Sequence, residues 1–63
     1  MSVGKNIKEM RELRNLTQEE LSKKVGITQA MLSQIERGTK NPSIQVGVLI
    51  ADALNCKVDD LTN

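Results

Sequence analysis

One stretch constrains this chain more than any other: residues 16–43, LTQEELSKKVGITQAMLSQIERGTKNPS. Its centre, Val25-Gly26-Ile27, reads as a tight turn between two short helices. Thr17 is placed to cap the first helix, and Glu20 three residues later completes a capping box. Glu19 and Glu20 put negative charge in the first turn, while Lys23 and Lys24 put positive charge in the last. Both signs suit the helix dipole. Leu21 and Val25 are four apart and share a face. Gly26 stands where a helix end favours a residue able to take positive φ. Thr28 caps the second helix, Leu32 and Ile35 form its buried ridge, and Gly38 ends it. Thr39-Lys40-Asn41-Pro42 reads as loop.

Two helices of about two turns each, joined through a Gly-containing turn of about three or four residues, have helix-turn-helix spacing. A plain helical hairpin shares that spacing, so the outward face of the second helix decides more. It carries Gln29, Ala30, Ser33, Gln34 and Arg37. Gln and Arg can pair with adenine and guanine edges, and an Ala methyl can touch thymine. A purely solvated face more often carries Glu and Lys, although a polar surface helix remains compatible with these residues.

The chain resembles the Cro/C1-type helix-turn-helix family of phage repressors and bacterial regulators (XRE-like, lambda-repressor-like). The matching residues are Leu16-Thr17-Gln18-Glu19-Glu20-Leu21, Val25-Gly26-Ile27, Leu32-Ser33-Gln34-Ile35-Glu36-Arg37-Gly38 and Asn41-Pro42-Ser43-Ile44. The match spans nearly the whole chain. It implies an all-α bundle of about five short helices forming a single DNA-binding domain over residues 1–63, with the helix-turn-helix at about 17–37. It places Gln29, Ala30, Ser33 and Gln34 nearest the bases, and Gln18, Thr28, Arg37, Lys40, Asn41 and Ser43 at phosphates. It further implies that Gln18 supports Gln29, and that Arg11 and Glu36 form a partly buried ion pair tying the first helix to the recognition helix.

Size and composition fit a small domain. The chain has 63 residues and no aromatic side chain, so its core must come from Leu, Ile, Val, Met and Ala. Sixty-three residues bury only about 60% of the unfolded surface, and stability should be modest. No run of about 20 apolar residues marks a membrane span, and the start of the chain has no apolar signal region. A lone cysteine, Cys56, and the absence of histidine leave too few ligands for a zinc site and no internal disulfide. A reducing cytoplasm, bacterial or phage-infected, is the expected setting. No cofactor or metal is expected. No nucleophile–base pair or phosphate-binding Gly loop is present, which argues against an enzyme.

Net charge is +1, but its distribution is uneven. Residues 1–43 hold eight Lys or Arg against five Asp or Glu, whereas residues 44–63 hold Lys57 against Asp52, Asp59 and Asp60. The basic end carries the helix-turn-helix, so salt-dependent binding through few contacts per subunit is expected. Ordinary scatter of charge on a small domain would look similar.

The flanking helices read as follows. Residues at about 3–14 form a first helix with Val3, Ile7 and Met10 inward, Arg11 beside them, Leu13 partly exposed and Asn15 as the stop. Ser43 caps a fourth helix at about 44–54. Val48 and Ala51 are expected to face the core there, completed by Leu54 or Ile50. Gly47 and Leu49 depart from the family pattern, where a larger apolar and a polar residue are usual. Asn55 ends this helix, Cys56 reads as buried filler, and 58–61 as a last helical turn. Thr62 stands where the family often has an aromatic or Leu. One domain reads too few base pairs for useful discrimination, so a homodimer on a palindromic operator is expected, with Leu49, Val58 and Leu61 at the contact. Regulation, most simply as a repressor, follows from such binding. Two alternatives share the fold: an antitoxin with a toxin partner, and a protein-interaction module without DNA binding. The chain fits either a complete small regulator or the N-terminal domain of a longer one.

Overall fold

The computed structural model describes residues 3–62. Among them five helices follow in order: α1 (Val3–Leu13), α2 (Gln18–Val25), α3 (Gln29–Arg37), α4 (Ile44–Ala53) and α5 (Val58–Thr62).

Local chemistry sets their ends. At α2, the Glu20 N–H donates to Thr17 Oγ1 over 3.1 Å and the Thr17 N–H donates to Glu20 Oε1 over 2.9 Å. This reciprocal box satisfies two amides that a helix start leaves orphaned. The Thr17 amide, then its hydroxyl, hold the Glu20 carboxyl below its ordinary value. Thr28 and Ser43 cap α3 and α4 with one bond each, accepting from the amides of Met31 and Val46. The C-terminal ends close on left-handed residues: Asn15 at φ 58°, Gly26 at 86°, Gly38 at 81° and Asn55 at 56°. At Asn15, Gly38 and Asn55 this turn of the chain sends two successive amides back to carbonyls of the last helical turn. Sequence and structure agree at each of these ends.

Helix α1 packs on α3 and α5, α2 on α3 and α4, and α4 on α5. The core is aliphatic throughout: Ile7, Leu21, Val25, Leu32, Ile35, Ile50, Ala51, Leu54 and Leu61. Both Ile50 and Leu54 are inside, where the pattern left the choice open. Val48 is not; it is 43% exposed. It lies two residues from Ile50, about 200° around the helix, so the two cannot share the inward face. Leu61, expected at a dimer contact, is 2% exposed and belongs to the core. It is covered by the monomer's own packing and is not available to a second subunit. Cys56 packs against the core but is only half-buried. Partial burial, then the nearby Asp60, push its thiol above the ordinary range, which keeps it protonated at neutral pH.

Helix α1 also closes the far end of the chain. Asn6 Nδ2 donates to the Leu61 carbonyl over 2.7 Å, and Arg14 Nε donates to the Leu54 carbonyl over 2.9 Å. Both acceptors sit at helix C-termini, where carbonyls lack intrahelical partners. One side chain of α1 and one just past its end thus fix α5 and α4 relative to the rest.

Candidate nucleic-acid interface

Helix α3 is amphipathic in the strict sense that its two faces do different jobs. Leu32, Ile35 and Glu36 are buried and pin it to the body. Gln29, Ala30, Gln34 and Arg37 are exposed, and Ser33 is half-buried. Residues 29, 33 and 37 succeed one another at four-residue spacing, and 30 and 34 run alongside. They form a single outward strip of amides, a hydroxyl, a methyl and one guanidinium, with no carboxylate in it. Thr28, with its hydroxyl in the cap, stands at one end of the strip. Arg37 stands at the other, followed by the exposed loop residues Lys40, Asn41 and Ser43. The loop is pinned at its start: the Thr39 amide and hydroxyl both donate to the Gln34 carbonyl, over 3.0 and 3.1 Å.

Behind the strip lies the ion pair that the resemblance implied. Arg11 Nε donates to Glu36 Oε2 over 2.8 Å and Arg11 Nη2 to Glu36 Oε1 over 3.2 Å, a two-pronged contact. The two side chains are 10% and 3% exposed. Hydrogen bonding to Glu36 outweighs the desolvation and holds the Arg11 guanidinium above its already high ordinary value. Arg11 Nη1 donates to the Leu16 carbonyl over 2.8 Å. The pair therefore joins α1, the entry to α2 and the end of α3.

In the free chain Gln18 meets the ion pair: its Nε2 donates to Glu36 Oε1 over 2.9 Å. The reason is local. Gln18 opens α2 at the point where Arg11 grips the preceding backbone, which brings its amide onto the carboxylate that Arg11 holds. The residues carrying this scaffold but absent from the sequence pattern are Asn6, Arg14 and Gly4. Gly4 lies directly against the Ile35 and Glu36 carbonyls at the end of α3.

Among the described residues, no group of three or more His, Cys, Asp or Glu is placed to hold a metal ion. No described helix is long and apolar enough to cross a membrane.

Comparison with known proteins points the same way. A helix-turn-helix family pattern matches residues 7–61. An uncharacterised HTH-type transcriptional regulator of Archaeoglobus fulgidus is 42% identical over 55 residues, covering 87% of this chain and 78% of the relative. The immunity repressor protein of Bacillus phage phi105 is 40% identical over 58 residues, covering 92% of this chain but only 40% of the longer repressor. Among solved structures, the master regulator for biofilm formation SinR, in complex with DNA, superposes with a TM-score of 0.91 at 34% identity, covering 97% of this chain and 98% of that one.

Proposed function

Because the chain belongs to the helix-turn-helix family of transcriptional regulators, we propose that it binds duplex DNA sequence-specifically and acts as a repressor. The outward strip of α3 carries this reading: a rigidly seated helix with two primary amides, a hydroxyl and a methyl on its free side. A helix of this kind enters the major groove with its N-terminal half at the bases. Gln29 and Gln34 offer the paired donor and acceptor that adenine presents, Ala30 suits a thymine methyl, and Ser33 accepts or donates. Arg37, Lys40, Asn41, Thr28, Ser43 and Gln18 supply donors for phosphates and set the register without reading sequence. Family and fold are those of regulators, and its site of action is where cellular or phage DNA lies.

A single α3 spans only a few base pairs. The repressor therefore acts as a homodimer on a palindromic operator whose half-sites lie about 34 Å apart. The exposed apolar side chains Leu49 and Val58, 47% and 42% exposed, supply the contact; Leu61 supports it from below.

Two substitutions separate reading from anchoring. Gln29→Ala should relax base preference at one position and cost about 1–3 kcal/mol on the preferred site. Lys40→Ala should weaken all duplexes alike and shallow the dependence of affinity on salt. Binding titrations on preferred and scrambled duplexes check both. Equal losses on the two duplexes for Gln29→Ala would remove it from the reading surface.

A further inference from the structure

The Glu36 carboxylate takes three hydrogens. Oε2 accepts from Arg11 Nε, and Oε1 accepts from both Arg11 Nη2 and Gln18 Nε2. We propose that Glu36 is a positioning residue for DNA binding: it holds the Gln18 side chain in the orientation that meets a backbone phosphate. This rests on the DNA-binding reading above and names how one of its phosphate contacts is set.

The geometry divides the labour. Glu36 is buried on α3 and its rotamer is locked by the two-pronged contact with Arg11, itself anchored on the Leu16 carbonyl. Gln18 is half-exposed at the first turn of α2. A primary amide nitrogen carries two hydrogens. One is directed inward to Glu36, and the other remains on the same nitrogen for an acceptor outside. A free Gln side chain samples many rotamers, and fixing them on binding reduces affinity. Here the freezing has already occurred in the unbound protein. Arg11 has a second part in this. An unpaired carboxylate beneath the site would repel a phosphate, and the guanidinium cancels it.

The consequence is a coupling between Gln18 and Glu36 that appears in DNA affinity and not only in stability. Affinity is measured for a duplex enriched from a random library, with and without Gln18→Ala, in three backgrounds. In the unaltered protein Gln18→Ala should weaken binding about tenfold. In Arg11→Met/Glu36→Leu, an apolar replacement of the kind that buried ion pairs tolerate, Gln18 has lost its holder. The same change should then cost no more than about threefold. In Arg11→Met/Glu36→Gln, which keeps an acceptor oxygen at position 36, the larger effect should return. Circular dichroism checks that each background folds; the Glu36→Leu background tests the coupling and the Glu36→Gln background its rescue, and if the former does not fold, the Gln18 amide shift of the unaltered protein decides. The Gln18 side-chain amide signals, read by NMR without DNA, give a second readout. They should be shifted from free-glutamine positions in the unaltered protein and return to them in Arg11→Met/Glu36→Leu. Equal losses from Gln18→Ala in all backgrounds, or amide signals unmoved by the replacement, would overturn the proposal. Failure of the unaltered protein to bind any duplex, with the shifted amide signals intact, would instead overturn the DNA-binding reading beneath it.

Discussion

Gly4 shows how much a single atom can matter in this chain. A Cβ built there would run into the Ile35 carbonyl oxygen and come within 2.9 Å of the Glu36 carbonyl oxygen. Both are backbone atoms of α3 that have no flexible end to swing aside. Gly4→Ala should therefore destabilise the fold by about 1–3 kcal/mol, even though Ala is the better helix former. Urea unfolding of the two proteins measures this; an unchanged or raised midpoint would mean that α1 can shift at no cost. The caps at Thr17, Thr28 and Ser43 were legible in the sequence because donor and acceptor lie three residues apart. Gly4, Asn6 and Arg14 were not, since the partners of Asn6 and Arg14 stand 55 and 40 residues away and no local pattern encodes them. The Arg11–Glu36 pair, 25 residues apart, was readable only through family resemblance.

Among the elements, α2 and α3 follow their sequence pattern and α4 does not. In α2 and α3 the large apolar residues keep to one side, so spacing alone picks out Leu21, Val25, Leu32 and Ile35 as core. In α4, the segment IQVGVLIADA is apolar on nearly every side. Spacing then fits several inward faces equally well, which is why Val48 was expected inside and lies outside. Gly47 adds a soft spot to this helix. Its conformation is ordinary helix, and a Cβ there would meet nothing within 4 Å. Gly47→Ala should thus stabilise the protein by roughly 0.5–1 kcal/mol through backbone entropy, read as a higher thermal midpoint with DNA affinity unchanged. A lowered midpoint would show that the hollow beside Gly47, walled by Val3, Ile7, Val48, Val58 and Leu61 among others, needs to stay open.

For the molecule as a whole, the fold class was legible and the assembly was not. Five capped helices around an aliphatic core follow from the periodicity and the turn residues. The oligomeric surface does not, because an exposed apolar residue and a core residue carry the same letters. Leu61 and Leu49 differ only in what packs over them, and it is α1 and α4 that cover Leu61. The charge layout acts at the same scale. Eight basic residues against five acidic ones before residue 44 favour DNA only modestly, so sequence reading by α3 must carry most of the discrimination. The most direct test of that claim is selection of binders from a random duplex library at about 0.1 M salt, where long-range attraction is screened beyond about 10 Å. Reading by α3 in a dimer should enrich a palindrome whose half-sites repeat at about one helical turn. A folded, helical protein that enriches no sequence would contradict it and point to a protein partner in place of DNA.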